Sequence, residues 1–344
     1  MRARSIVKYT PLLPLIAALL IGCGGGGGSG AASGPPPTIP TPVPSTTFPP
    51  PPAISPAFVQ TLHSVVLPGV TAPAAMSATL LSFIESLNTQ MARRGSTVGS
   101  NDKEIVGPFI SAGGPYLGIA AISSAYSATQ LQLPNASGSG INQLFAPMMV
   151  PSNHGCLVPA SYYYNFGAGP QAAFIVSDFC AFDVHGPLTA LFTPIDANFI
   201  ASYVRNNANG VPSYEVVSFT PQPPSDASTW YVVLFNFTTR QWDLVTSSAG
   251  NRPRGEGGDY FASSFLPGPC PSLPVISTLN LALATEAGGY DSVTPTLNGT
   301  TSRILAPPGF ADVVDSCFNA DQTGPPSYNF NVVTPNNTWT VTPH

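Results

Sequence analysis

The chain has 344 residues, 43% hydrophobic and 8% charged, with 40 prolines and 32 glycines, a composition of exported β-proteins rather than of cytoplasmic enzymes. Its 11 basic and 16 acidic side chains leave a net charge of −5, and no basic cluster exceeds Arg93-Arg94, which excludes a partner held through a phosphate backbone such as nucleic acid.

The first element is an export signal over residues 1–22: Arg2, Arg4 and Lys8 precede an apolar run that begins near Leu12 and is too short to span a bilayer of roughly 30 Å. The run ends in Leu20-Ile21-Gly22-Cys23, with an aliphatic residue three positions before the cysteine and a small one immediately before it. These four residues resemble the lipobox of bacterial lipoproteins. The resemblance implies that Cys23 becomes the mature N-terminus and carries acyl chains. Its partner would then be a membrane, held firmly because each buried methylene contributes about 0.8 kcal/mol. Gly24 stands where lipoproteins kept at the inner membrane commonly have Asp, so the family rule points to the cell envelope and its outer membrane. Loss of Arg2, Arg4 and Lys8 with the signal changes 11 basic residues to 8 against 16 acidic, a net of −8.

Residues 23–56 read as a tether. Gly24 to Gly34 is flexible coil, and Pro35 to Pro56 holds 11 prolines in 22 residues, predicting extended polyproline II with a reach of roughly 70 Å at about 3.1 Å per residue. Residues 57–104 read as a helical segment packed on a sheet. Its helix is expected from about Ala72 to Arg94, with Met76, Leu80, Ile84, Leu87 and Met91 on one face, Thr71 and Pro73 at its start and Gly95 at its stop.

Residues 105–344 change period. Short apolar or alternating runs recur at Tyr116–Ser123, Gln143–Val150, Ser161–Phe166, Ala172–Phe179, Leu188–Thr193, Phe199–Arg205 and Ser213–Thr220. Hairpin turns are expected at Asn209-Gly210, Asn298-Gly299 and Pro335-Asn336-Asn337. The clearest hairpin joins Trp230–Phe237 to Trp242–Thr246, and both faces of its first strand are apolar, as in a strand covered on both sides. The expected fold is mainly β: an antiparallel β-sandwich of jelly-roll or concanavalin-like type with one accessory N-terminal helix. The concanavalin-like lectin/glucanase sandwich is a resemblance of architecture and rests on no motif.

Besides Cys23 there are four cysteines, Cys156, Cys180, Cys270 and Cys317, an even number that in an oxidising compartment predicts two disulfides. Three pairings satisfy the count; separations of 24 and 47 residues make Cys156–Cys180 and Cys270–Cys317 the simplest. No Cys-x-x-Cys pair, Gly-x-Ser-x-Gly elbow or His-x-x-x-His pair occurs, so no cofactor and no metal is expected. Asp183 and His185, two apart, have the spacing to share a strand face as a base and its orienter, against which stands a surface pair beside Cys180; Asp312, Asp315 and Asp321 offer oxygens for calcium but lack the alternating ligand spacing of an EF-hand loop.

Two chemistries remain. An acid pair serves a glycosidase-like or glutamic-peptidase-like hydrolase when its two carboxyl groups have pKa values driven apart by their surroundings, and Glu215 and Asp243 are the strand carboxylates suited to it. Sugar rings stack on exposed aromatics, and Tyr162, Tyr163 and Tyr164, in succession on one strand, together with Trp242 are the candidate platform. The expected function is a non-catalytic envelope lipoprotein that binds a glycan or other extended polar polymer. The acid-pair hydrolase and a structural envelope protein are the alternatives.

Overall fold

The computed structural model of the chain describes residues 47–65, 67, 102–106, 109–110, 116–131, 133, 142–151, 155–165, 169–180, 189–221, 229–250, 257–264, 273–287, 289–291, 302–305, 328–334 and 338–343. In chain order these form α1 (Pro56–Thr61), β1 (His63–Ser64), β2 (Asp102–Val106), β3 (Phe109–Ile110), β4 (Tyr116–Ser124), β5 (Asn142–Val150), β6 (Leu157–Asn165), β7 (Gln171–Asp178) and β8 (Thr189–Pro194). They continue with α2 (Ala197–Tyr203), β9 (Arg205–Asn206), β10 (Pro212–Phe219), β11 (Thr229–Asn236), β12 (Gln241–Ala249), β13 (Gly257–Ser264), β14 (Ile276–Thr285), β15 (Tyr290–Asp291), β16 (Ser302–Leu305), β17 (Tyr328–Thr334) and β18 (Thr338–Pro343).

Two sheets pack face to face, the antiparallel sandwich expected from the alternating runs. Sheet A follows the order β1-β12-β11-β10-β4-β14-β18-β17, with β9 beside β10 and β15 beside β14; sheet B follows β16-β2-β13-β5-β6-β7-β8, with β3 beside β13. Every pairing is antiparallel except β1 on β12. The β11–β12 hairpin lies toward one edge of sheet A, and β10 and β4 lie nearer its middle.

The main core fills the space between the sheets. Ile119, Tyr214, Val216, Trp230, Val232 and Leu234 come from sheet A and meet Tyr163, Phe174 and Val176 from sheet B. Burial of such side chains, at about 25 cal/mol per Å² of apolar surface, holds the two layers together. A second cluster lies on the outward face of sheet A, where Leu117, Ala120, Val217, Phe219, Val233 and Ala284 pack with Ile54. The alternation on β10 and β11 is thus apolar on both sides, as their sequence requires. Gly118 marks the tightest approach in sheet A: a β-carbon there would fall 2.6 Å from the Cβ of Phe219, so only glycine lets the neighbouring strand lie this close.

One expectation is corrected by local chemistry. Phe199–Arg205 does not form a strand: residues 197–203 are α2, because Asp196 caps its start, accepting from Asn198 N and Phe199 N at 2.9 Å each. Phe199 and Tyr203, one turn apart, bury the same face of that helix, a three-to-four spacing hidden inside a short aromatic run. Within the expected tether, Phe48, Pro52 and Ile54 make contacts with Phe237, Tyr290 and the outer cluster of sheet A. A turn forms at Asn209-Gly210 but not with these two as its central residues: the Gly210 N–H donates to Asn207 O at 2.9 Å, so Ala208 and Asn209 are central, and of Asn209 and Gly210 only Gly210, at φ 74°, has a positive φ. β17 and β18 pair across the third expected turn. The helix over 72–94, the turn at Asn298-Gly299, the residues of the third turn, Asp183, His185, Asp312, Asp315, Asp321, Cys23, Cys270 and Cys317 lie outside the described residues.

Candidate binding face

The outward face of sheet A is crossed by the chain's own residues 48–62. The segment is extended because Phe48 and each of Pro49 to Pro51 precede a proline, and that position is held in the β or polyproline II region. Its exposure has a period of three. Thr47, Pro50 and Ala53 face solvent, Phe48, Pro49, Pro51 and Pro52 are half-buried, and Ile54 is 4% exposed. Three residues per turn is the repeat of polyproline II, so one edge of such a helix lies on the sheet. Ser55 then caps α1 through its side-chain oxygen, which accepts from Phe58 N at 3.1 Å, with Pro56 at the first helical position. α1 brings Phe58 to 5.7 Å from Phe219, and β1 follows along the edge of β12.

Aromatic rings receive this strap. Phe48 meets Phe237 edge-on at 5.1 Å, Phe237 meets Phe235 at 5.2 Å, and Phe235 meets Trp242 at 5.4 Å. Arg205 caps the row, with its guanidinium carbon 5.0 Å from the centre of the Phe237 ring. Across the face Tyr231 stacks on Phe219 at 5.5 Å. Tyr290, on β15, donates its phenolic O–H to the carbonyl of Pro52 at 2.8 Å.

Glu215 shares this face with Val217 and Phe219 and is 2% exposed. Its Oε2 has no hydrogen-bond partner among the described residues. Burial alone pushes its carboxyl up to about 8, so the group is a neutral acid at pH 7. Tyr290 is its electrostatic neighbour: burial first, and the Glu215 charge second, hold that phenol well above the ordinary tyrosine range.

Asp243 does not join it. On β12 it pairs with Leu234 and turns to the inner side with Leu234 and Val245, opposite to the side of Val217 and Glu215. There its Oδ2 accepts from Tyr203 Oη at 2.8 Å and from Asn236 Nδ2 at 2.7 Å, fastening α2 to the β11–β12 hairpin. The two candidate carboxylates therefore lie on opposite faces of one sheet and form no acid pair.

The tyrosine run is a core element and not a platform. Tyr162 and Tyr163 are each 0% exposed, and Tyr164 is half-buried and stacked on Tyr162 at 5.1 Å. Tyr163 points between the sheets, where its oxygen accepts from Tyr126 N at 2.9 Å. Tyr162 and Tyr164 face the other side of sheet B, which is apolar too, with Met148, Val158, Ala160 and Ile175 all buried. Tyr162 and Tyr163 therefore present no ring to a sugar, and Tyr164 only a half-buried one. Trp242 alone of the candidate aromatics lies on the outward face of sheet A, half-buried beside Phe235.

Cys156 and Cys180 are disulfide-bonded, joining the chain on either side of the β6–β7 hairpin. Gly250, at φ 140°, seats the bond: a β-carbon there would fall 3.1 Å from Cys180 Cβ. Among the described residues no group of three His, Cys, Asp or Glu side chains is placed to hold a metal ion, and no helix is long and apolar enough to cross a membrane.

Sequence reasoning passed over Phe48, Ile54, Phe237 and Tyr290. The available signal was the presence of Phe48 and Ile54 at either end of four consecutive prolines, since a purely solvated tether has no use for bulky apolar side chains.

No protein-family model matches the chain, and no curated protein matches it. Solved structures similar to it include Scytalido-glutamic peptidase with a peptide-based transition-state analogue, at 11% identity and a TM-score of 0.37, covering 72% of this chain and 100% of that one. The same peptidase with a transition-state analogue inhibitor matches at 14% identity and a TM-score of 0.36 over the same shares. SCP-B, a member of the Eqolisin family of peptidases, in complex with the tripeptide Ala-Ile-His, matches at 12% and 0.36, again over 72% and 100%. Likeness at these scores carries no conclusion about activity.

Proposed function

We propose that the protein is an envelope lipoprotein, anchored through Cys23, whose β-sandwich is a non-catalytic binding module for an extended polymer, with the outward face of sheet A as the binding face. The observation that carries this reading is that the face already holds one: residues 48–54 lie along it in extended form, against aromatic rings and one phenolic donor. A sheet face with that lining suits glycan rings or an extended peptide, because both combine apolar faces with regularly spaced hydrogen-bond acceptors.

Glu215, a neutral buried acid on this face, is the one observation favouring the hydrolase. No second carboxylate contributes to its shift, and Asp243 faces away. A general acid without a base or nucleophile leaves the hydrolytic cycle incomplete.

Two measurements test the reading. Cys23→Ser is expected to release the protein from membranes; retention, with no acyl mass on the wild-type N-terminal peptide, overturns the anchor. A panel of glycans and extended peptides, titrated calorimetrically against wild type and Trp242→Ala, is expected to find a ligand of micromolar to millimolar affinity that the substitution weakens. Silence across the panel, or turnover abolished by Glu215→Gln, overturns the binding role.

A further inference from the structure

The strap identifies the kind of polymer the face accepts. Four consecutive prolines, Pro49 to Pro52, have no backbone N–H to donate, so this stretch cannot be held as a ladder strand and must be held by side-chain packing and by its carbonyls. Both modes are present. The side chains enter with a period of three, Phe48, Pro49, Pro51, Pro52 and Ile54 turning inward while Pro50 and Ala53 turn out. One carbonyl, that of Pro52, is taken by Tyr290 Oη at 2.8 Å. The ring contact on the extended segment is Phe237 on Phe48; an aromatic-lined surface combined with a hydroxyl that takes a carbonyl suits a polyproline II segment, because that helix is preformed and its carbonyls are unsatisfied. Glu215 adds a second, independent feature: a 2% exposed carboxyl on the same face, with Oε2 unpartnered among the described residues.

We infer that the outward face of sheet A is a recognition site for proline-rich polypeptide segments, filled in cis by Phe48–Ile54, so that the protein blocks its own site and binds a proline-rich segment of another polypeptide only when the strap is displaced. The inference rests on the reading of this face as the binding face and adds the ligand class and the self-block. Phe237, Trp242 and Tyr290 are the recognition residues. The cis segment is favoured because it is covalently held next to the site, at an effective concentration that a free peptide must exceed.

The probe is a fluorescent peptide with the sequence of residues 47–55, added to the full mature chain carrying Cys23→Ser. With the strap intact, binding is expected to be weak. Phe48→Ala with Ile54→Ala loosens the strap while leaving the face unaltered, and is expected to bind the peptide at least about tenfold more tightly. Addition of Tyr290→Phe to that variant should lower the affinity severalfold. Peptides with glycine at the inward Pro51 and Pro52 should fail, and one with alanine at the outward Pro50 should not. Equal, weak binding by both proteins, with the strap of the variant shown open by faster protease cleavage within residues 47–62, overturns the inference. Should the double variant misfold, wild type supplies the decision: peptide at millimolar concentration is expected to accelerate cleavage of the strap, and no acceleration counts against the site. Trp242-dependent glycan binding without peptide binding overturns the ligand class alone. Absence of both polymers overturns the binding face as well.

Discussion

Tyr290 Oη donates to the carbonyl of Pro52 at 2.8 Å, across 238 positions of sequence. This bond joins a segment whose composition reads as linker to a strand near the far end of the chain. It lies next to Glu215, a carboxyl that burial pushes up to about 8.

Tyr290→Phe removes one partly buried hydrogen bond, for a cost of about 1 kcal/mol. That amounts to roughly a fivefold rise in the open population of the strap. Hydrogen exchange at the Val59, Leu62 and Val65 amides, which donate to Ser55 O, Val59 O and Leu244 O, is expected to accelerate by that factor. Amides in the β4–β10 ladder should be unchanged. Unaltered exchange across residues 55–65 would show that the bond does not hold the strap.

Glu215 makes stability depend on pH in an unusual direction. Its folded carboxyl is raised to about 8 from an ordinary value of 4.5, so between these values the unfolded chain gives up a proton that the folded chain keeps. Stability from this group is therefore full at or below the ordinary value, falls as pH rises toward about 8 at up to about 1.4 kcal/mol per pH unit, and levels off above it. Urea unfolding at intervals from pH 5 to 9 should show this fall in wild type and lose it in Glu215→Gln. Parallel profiles for the two proteins would place the proton elsewhere.

Asp243 is expected to act on stability and not on ligand binding, because it turns to the inner side of sheet A. Asp243→Ala strands the Tyr203 hydroxyl and the Asn236 amide, at a cost of about 3 kcal/mol. Tyr203→Phe, which removes a donor and leaves the carboxylate its amide partner, costs about 1 kcal/mol. Chemical denaturation measures both. A ligand affinity that falls in Asp243→Ala while the fold is intact would contradict the orientation given above.

Cys156→Ser with Cys180→Ser opens a loop of 24 residues and is expected to cost about 3 kcal/mol by chain entropy. Non-reducing peptide mapping of wild type is expected to return the Cys156–Cys180 peptide and, for the remaining two cysteines, Cys270 linked to Cys317. Free thiols at Cys270 and Cys317 would leave the domain with a single bond.

Much of the sandwich was legible because its strands obey a period of two and are punctuated by turn residues. Tyr116–Ser124, Asn142–Val150 and Pro212–Phe219 begin and end within a residue or so of the runs that predicted them. Cys156–Cys180 was legible as part of the simplest of the three pairings that an even cysteine count allowed. α2 was not, because its apolar residues also fit a strand and Asp196 declares itself as a cap only once the backbone turns. Alternation showed that Glu215 shares a side with Val217 and Phe219, yet it could not show that Asp243 lies on the other side. That relation depends on the register of β11 with β12, which passes through a bulge at Val232 and Val233. Three tyrosines in a row promised an exposed ring only if one side of β6 were wet, and Tyr162 and Tyr163, on opposite sides, are each 0% exposed. The strap was missed for a different reason: proline content reports conformation, and only the flanking Phe48 and Ile54 signal that the segment touches anything.

The order of contacts along the strap also sets how the domain responds to load. Among the described residues, a pull from the N-terminal side arrives first at Phe48, and each later contact is strained only after the previous one has parted: Phe237 is released, then Tyr290, then the pocket of Ile54, then Phe219. Peeling one contact at a time needs no more force than the strongest single contact, whereas the ladders of sheet A share their load across many bonds at once. The strap thus yields while both sheets keep their shape, with Ile54 the core side chain that is withdrawn as the chain lengthens under tension.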